Sequence, residues 1–563
     1  MASLYKAVTM FSLYEVIAIL SSIVLRLSVY IFLRWIPSQQ FPIVIYTSFT
    51  IYISAILSYF LKAQKNHHQY AANEKPLKSK HTTANSNSTS PKLKMKQKIV
   101  SKRPTKIWYS LLLGLPSSES TLFSFISFII NFILVLGVLD LVFRTRLFYP
   151  VENLSFARLG YVSPIEAKLV VREPDISKLP LSVYSRLVSP VVGDENTTWK
   201  LVDIIESTGI TTDYTATVTI ALPNAPERIY QWKTSTNHTG TFTTPPNPGK
   251  LTNNGDFTFL TSSCIKARFP YNPLTHPLHI PGFKHLFQVL KSIPSAKFML
   301  FLGDFIYIDV PKRFGTNVED YRREYRQVYA SPDWPLVSQN LSWIHVLDDH
   351  EIANDWDHRT SGVYHSAVDP WHHYQTAVNP PTAKSSLSYK NLTYYEFTQG
   401  PASFFMLDTR SYRDSSRDIS AEATGKTMLG SIQLSALLDF LRRPEVEGVK
   451  WKFVISSIPF TKNWRVNAQD TWAGYLYERK LILEAMWDAS LRNSVKIVVL
   501  SGDRHEFAAT DFPPPEGGMW PSSSTVHEYS VGPLSQFYLP IPTYMQLDSE
   551  DIGVKQVSLI LQP

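Results

Sequence analysis

Phe41 to Leu61 is a run of 21 residues without a charge, and Thr121 to Phe143 is similar apart from Asp140. At about 1.5 Å per helical residue such a run is about 30 Å long, the thickness of a bilayer's hydrocarbon core. Both are predicted to be transmembrane helices. Ala7 to Leu33 is a third apolar stretch, interrupted by Glu15 and Arg26. A charge at the bilayer centre costs at least about 2.5–3.5 kcal/mol. A span here requires that both charges face a neighbouring helix; otherwise the segment lies in the interface. No small-residue cleavage site precedes the next apolar run, so a cleaved signal peptide fits poorly.

Further along, the period of the pattern changes twice. From about 151 to 260 it is β-like: Ala167–Val171, Thr215–Ala221 and Phe257–Thr261 alternate or are β-branched, and Pro, Asn and Gly clusters such as Thr243–Gly249 separate them. This section predicts a small β-sandwich. From about 262, short apolar runs alternate with helical stretches. The runs are Phe298–Leu302, Trp343–Leu347, Ser403–Leu407, Trp451–Ile455 and Val495–Leu500. The helices are expected near Lys284–Ser292, Val318–Tyr329, Ser431–Leu441 and Glu478–Arg492. Such alternation is the α/β signature, and runs apolar on both faces belong to sheet covered on both sides.

Composition sharpens the topology. Of 563 residues 44% are apolar and 18% charged, which excludes global disorder. The single cysteine, Cys264, excludes an intrachain disulfide framework and a Cys-rich zinc module. The net charge of +8 is local in origin: residues 62–107 hold twelve Lys or Arg against one acid, Glu74, so the remainder is slightly acidic. No nucleic-acid binding is expected from that distribution. The basic loop lies between the two charge-poor spans, and the positive-inside rule puts it in the cytosol. It would serve as a solvated spacer or be drawn to anionic lipids. The chain beyond Phe143 is then lumenal or extracellular. Glycosylation tripeptides at Asn153, Asn196, Asn237, Asn340 and Asn391 agree with that side.

Candidate chemistry gathers where the apolar runs stop. Phe298-Met-Leu-Phe-Leu-Gly ends on Asp304, and Trp343-Ile-His-Val-Leu on Asp348-Asp349-His350-Glu351. Val498-Val-Leu-Ser-Gly ends on Asp503-Arg-His505, and Phe404-Phe-Met-Leu on Asp408-Thr-Arg410. Ligands of open α/β sheets bind beyond the carboxyl ends of strands. A single Asp there is an ordinary helix N-cap. Several carboxylates converging with histidine repel one another unless a hard or borderline cation joins them.

In combination, Cys264, Gly303-Asp304-Phe-Ile-Tyr307, Asp348-Asp349-His350-Glu351 and Gly502-Asp503-Arg-His505 resemble the PhoD-like (alkaline phosphatase D) branch of the calcineurin-type metallophosphoesterases. The resemblance covers about 151–545. It implies a four-layer αββα catalytic domain over 262–545 behind the β-domain of 151–260. It implies iron and calcium, other divalent metals remaining open, with Cys264, Asp304, Tyr307, Asp349, Asp503 and His505 as ligands. Asp348 and Asn354 are expected as further calcium ligands. His350 would stabilise the transition state or protonate the leaving group of a phosphoester substrate, and Arg410 or Arg504 would clamp the phosphoryl oxygens. A cation pair activates water for in-line attack on phosphorus. The membrane anchor makes lipids expected partners and leaves lipid phosphoesters open as substrates. A non-catalytic membrane glycoprotein with the same fold is the remaining alternative. His365, His372 and His373 sit in a Pro-bounded loop and either line the site or, as expected, pack or face solvent, and Trp472 and Tyr475 are expected to be core or pocket wall. The tail from about Asp551 shows little of the family's pattern, which predicts a missing edge element and an exposed strand.

Overall fold

A computed structural model describes residues 12–73, 107–117, 121–188, 198–381, 392–464, 467–537, 544 and 548–559. Asn196, Asn391 and most of the basic loop lie outside the described residues. Contacts divide the chain into two units, residues 1–33 with 37–140, and residues 34–36 with 141–563.

The first unit is helical. Its helices are α1 (Leu13–Arg34), α2 (Phe41–Asn73), α3 (Ile107–Leu113) and the first part of α4 (Thr121–Phe148). By length and composition α1, α2 over Phe41–Lys65, and α4 can cross a membrane. Arg26, the charge that made the first stretch ambiguous, faces its neighbours. Its guanidinium donates to Asn131 Oδ1 at 2.7 Å, Ser127 Oγ at 2.9 Å and the carbonyls of Leu111 and Leu112 at 2.5 and 2.8 Å. Glu15 folds back locally and accepts from the Ser12 N–H at 2.6 Å, which satisfies a donor at the start of α1.

The second unit carries seven strands between Phe156 and Thr243, of which the sequence pattern marks two, β2 and β5. They are β1 (Phe156–Val162), β2 (Glu166–Arg172), β3 (Leu181–Leu187), β4 (Lys200–Ile205), β5 (Thr215–Ala221), β6 (Ile229–Thr234) and β7 (Thr239–Thr243). They form two antiparallel sheets, ordered β1-β2-β5 and β4-β3-β6-β7. Leu169, Val171 and Val218 from the first and Val183, Trp232 and Phe242 from the second share one buried core. β4 is mostly exposed, which is why its Lys200-Leu-Val-Asp pattern does not announce a strand.

Two further sheets carry the α/β section. One is parallel, ordered β10-β9-β8-β17: β8 is Leu260–Ile265, β9 Phe298–Phe301, β10 Ser342–His345 and β17 Pro533–Ser535. The other has eight strands, ordered β11-β12-β13-β14-β16-β15-β19-β18. These are β11 (Tyr395–Gln399), β12 (Ala402–Met406), β13 (Trp451–Ser456), β14 (Lys496–Ser501), β15 (Ala508–Phe512), β16 (Val526–Ser530), β18 (Asp548–Asp551) and β19 (Val554–Leu559). The run Phe298-Met-Leu-Phe-Leu shows why both faces are apolar. Phe298, Leu300 and Leu302 join Phe404, Ile455 and Leu500 in a core between the sheets. Met299 and Phe301 point the other way, into a core with α5 (Pro281–Ser292), α6 (Val318–Tyr329), α7 (Trp334–Ser338) and α8 (Tyr364–Tyr374). A third core lies between the eight-stranded sheet and α9 (Gly430–Arg442) and α10 (Leu476–Asn493).

Two expectations are corrected. The alternating Phe257–Thr261 is not the strand; β8 starts at Leu260 and contains Cys264 instead of preceding it. The aromatic alternation reports packing: Phe259 stacks on Phe298 with centroids 5.3 Å apart, while ladder pairing begins with Leu260 opposite Met299. The tail is not missing from the sheet either. β18 and β19 form a hairpin, and β19 pairs antiparallel with β15.

Candidate metal centre

The carboxyl ends of β8, β9, β10 and β14 bring the expected residues together. Cys264 is the last but one residue of β8, Asp304 follows β9, Asp348 and Asp349 follow β10, and Asp503 and His505 follow β14. Four of these residues have left-handed backbone: Cys264 at φ 57°, Asp304 at 58°, Asp503 at 73° and His505 at 58°. Such conformations cost roughly 1–3 kcal/mol each for non-glycine residues and persist where surrounding structure enforces them. Gly303 before Asp304 has φ 97°, and a Cβ there would stand 2.4 Å from that of Asp348. The glycine is what lets the two acidic loops approach.

Asp304 is the hub. Its Oδ2 accepts from the Tyr307 hydroxyl at 2.8 Å and lies 3.3 Å from Cys264 Sγ, and the Tyr307 oxygen is 3.1 Å from His505 Nε2. Ligand atoms of Cys264, Asp304 and His505 lie within 4.8 Å of one another, as do those of Asp304, Asp348, Asp349 and Asp503, and those of Asp304, Asp349 and His350. Glu351 ties the loops together. Its carboxylate accepts from the N–H groups of Asp304 at 3.1 Å, Phe305 at 2.5 Å and Asp348 at 3.0 Å.

The comparisons decide the lineage. The family model of PhoD-like phosphatases matches residues 259–557. The chain belongs to the PhoD-like phosphatase family. It is a phosphoester hydrolase of a metal-dependent family. The match reaches into β19, so β18 and most of β19 lie within the family's domain. The solved structure of PhoD aligns with a TM-score of 0.51 at 20% identity, over 69% of this chain and 78% of that one, a similarity of fold. No curated protein matches the sequence.

The residues fit the cations that a PhoD-like phosphatase requires. Buried Asp348 Oδ2, Asp349 Oδ1 and Asp503 Oδ2 have no hydrogen-bond partner in the protein, and buried polar atoms are rarely left so. Burial, with carboxylates crowding one another, pushes Asp304 well above the ordinary range and Asp348 and Asp503 to about 7. Burial likewise raises the Cys264 thiol and the Tyr307 phenol. It lowers His505 to about 3, which leaves a neutral imidazole able to ligate. Positive charge placed among these oxygens would reverse the acidic shifts.

Three features differ from the sequence expectation. Arg410 is fully buried: its Nε donates to Asp348 Oδ1 at 2.6 Å and its Nη1 to both oxygens of Asp470 at 3.0 Å. Its Nη2 has no hydrogen-bond partner among the described residues and lies 3.8 Å from Asp349 Oδ1, so the side chain is tied to the site carboxylates with one donor nitrogen left over. Asn354 is exposed, and its backbone N–H, not its side chain, meets Asp309 at 2.7 Å. Arg504 sits over Trp464 with Nη1 3.9 Å from Asp503 Oδ2.

Sequence reasoning missed Asp309, Asp355 and Asp470. Asp309 Oδ1 is 2.7 Å from His350 Nδ1. Burial opposes charge on His350, but Asp309, Asp349 and Asp304 hold its imidazolium well above the usual value. Asp309 itself falls to about 2: burial works against that, and His350 outweighs it. The signal for Asp309 was its place five residues after Asp304 on the same loop. Asp355 follows Asp349 by six residues and its N–H donates to Asp349 Oδ2 at 2.5 Å, whereas Asp470 approaches from a loop far away in sequence. His365 and His372 line a separate cleft of about 960 Å³ with Tyr364 and Tyr412, and His373 pairs with Asp369 at 3.6 Å. Trp472 and Tyr475 are core. Asn153, Asn237 and Asn340 are exposed.

Proposed function

We propose that the chain is a membrane-anchored phosphatase that hydrolyses phosphoesters on the lumenal or extracellular side, with iron and calcium in the cluster around Asp304. The observation that carries the reading is the sharing of Asp304 among three potential cation groups, two of which hold buried carboxylate oxygens without a hydrogen-bond partner among the described residues. Cys264, Asp304, Tyr307 and His505 would hold iron, and Asp304, Asp348, Asp349 and Asp503 would hold calcium. Bound there, the pair would lower the pKa of a water molecule and polarise the phosphoryl oxygens.

The protein's own groups supply the remainder. Asp309 holds His350 Nδ1, so the free Nε2 is available to give a proton to the departing oxygen. Arg410, braced by Asp470, fixes the direction of Asp348. Glu351 locks the spacing of the Asp304 and Asp348 loops through three N–H bonds. The three cores support a four-layer αββα arrangement for this domain, and the shared core of the two leading sheets supports a β-sandwich before it. The three long apolar helices support the anchor, and the basic loop before α4 supports its orientation.

The test uses full-length protein in detergent. Metal analysis should find iron and calcium, and a generic phosphomonoester or diester should turn over and cease to do so after chelation. Metal-free protein that hydrolyses either ester unchanged would refute the reading.

A further inference from the structure

We propose that the cation–aromatic cluster on the last two turns of α4 binds the phosphate of anionic lipid headgroups. The proposal rests on reading Thr121–Phe148 as a span. From Thr121 to Asp140 the helix rises about 30 Å, one hydrocarbon core, and the next eight residues add about 12 Å, which reaches through the headgroup layer. Phe143, Arg144, Arg146, Leu147 and Phe148 occupy that length.

The cluster is built, not scattered. The Arg146 guanidinium lies 4.6 Å from the centre of the Phe314 ring, and Lys312 Nζ lies 5.4 and 5.6 Å from the Phe143 and Phe314 rings. The two rings meet edge to face at 5.8 Å. Arg144 is over Tyr149 at 6.0 Å. Beside them, Arg146, Lys266, Arg268 and Lys312 line one hollow with Glu324; there Lys266 Nζ lies 3.6 Å from Glu324 Oε2 and Arg146 Nη2 3.5 Å from Asp320 Oδ1, so the described cations outnumber their acids. Leu147 and Phe148, 67% and 72% exposed, flank the cations.

Two facts select a lipid over a soluble anion. Aromatic rings paired with long cations at a helix exit are the side chains that settle at a membrane interface. The exposed Leu147 and Phe148 need apolar cover that a free phosphate cannot give. The cluster also shares chain with the metal centre. Val310–Phe314 follows Asp304–Asp309 directly, and Lys266, two residues past Cys264, donates to the Tyr307 carbonyl at 3.3 Å. A headgroup held here would anchor the segment that carries Tyr307 and Asp309.

The test measures lipid retention, not turnover, so its failure is separable from failure of the phosphatase reading. Full-length protein in detergent is mixed with phosphatidylserine or phosphatidylcholine, and bound lipid is counted by native mass spectrometry. Wild type should retain phosphatidylserine preferentially. Arg146→Gln with Lys312→Gln should weaken that retention by at least roughly 10-fold, from the loss of two charge-assisted contacts to the phosphate. Arg146→Lys with Lys312→Arg should keep most of it. Metal content and a thermal melt report folding. If the glutamine variant is misfolded, the lipid contrast in wild type and the charge-keeping variant decides. Equal retention of both lipids, full displacement by millimolar inorganic phosphate, or undiminished retention by a folded glutamine variant would overturn the proposal.

Discussion

Cys264, Asp304 and Asp309 allow three separate tests of the proposed chemistry. Asp304 touches Tyr307 and Cys264 and belongs to three cation groups. Asp304→Asn should lose at least one metal and reduce turnover by more than the roughly 100-fold typical of losing a group that only supports a ligand. Metal analysis beside the kinetics checks this, and near-normal values of both would make Asp304 a loop-capping residue. Cys264→Ala should lose iron and any thiolate-to-iron absorption band, whereas Cys264→Ser should keep some metal more weakly. Stoichiometric iron in the alanine variant would return Cys264 to core packing. Asp309→Asn tests orientation of the proton donor. It should keep the metals and lower kcat by roughly 10–100-fold. Asp309 raises the His350 pKa, so its removal should move the alkaline limb of the kcat profile to lower pH. A limb that does not move would show that His350 is not the donor. Most of the cluster was legible because it lies at strand ends: Gly303-Asp304, Asp348-Asp349-His350 and Asp503-Arg-His505 all begin where an apolar run stops. Partnership was illegible. Nothing near Arg410 in sequence indicates that Asp470, sixty residues on, occupies its guanidinium.

Elements were legible in proportion to their burial. The runs that became β9, β12, β13 and β14 are apolar on both faces and were located to within a residue or two, and Val318–Tyr329 was found at its observed bounds. The hairpin of β18 and β19 was missed because it sits at a sheet edge, half exposed and charged: its first strand reads Asp-Ser-Glu-Asp. Its role is nevertheless central. Val554 enters the core under α10, and Asp551 accepts from buried Arg479 at 2.5 and 2.7 Å. Gln556 Oε1 accepts from Thr461 Oγ1 and the Lys462 N–H, both at 3.0 Å. Removing one partner of a buried pair leaves an uncompensated charge, so Asp551→Ala should destabilise the domain by about 3–5 kcal/mol. Chemical denaturation of the metal-loaded protein measures that directly. A change below about 0.5 kcal/mol would mean that the hairpin is an ornament on the sheet edge.

At the scale of the whole molecule, the arrangement of charge predicts a topology that can be tested. Twelve basic residues lie between Lys62 and Ile107, before α4, and the catalytic domain follows α4 on a slightly acidic chain. Arg26 no longer argues against a first span, since its donors meet Ser127, Asn131 and two carbonyls inside the helical unit. Three spans place the N-terminus on the same side as the basic loop, whereas two spans with an interfacial first helix leave it on the opposite side, with the start of α2. Trypsin added to sealed vesicles with the cytosolic face outward should therefore cut within residues 62–107 and spare the domain of residues 262–545. An epitope fused to Met1 should be accessible to antibody in the same vesicles without detergent. An inaccessible epitope with the loop still cut would reduce the anchor to two spans. Cleavage of the catalytic domain under these conditions would invert the topology, and with it the compartment in which any phosphoester substrate must be sought.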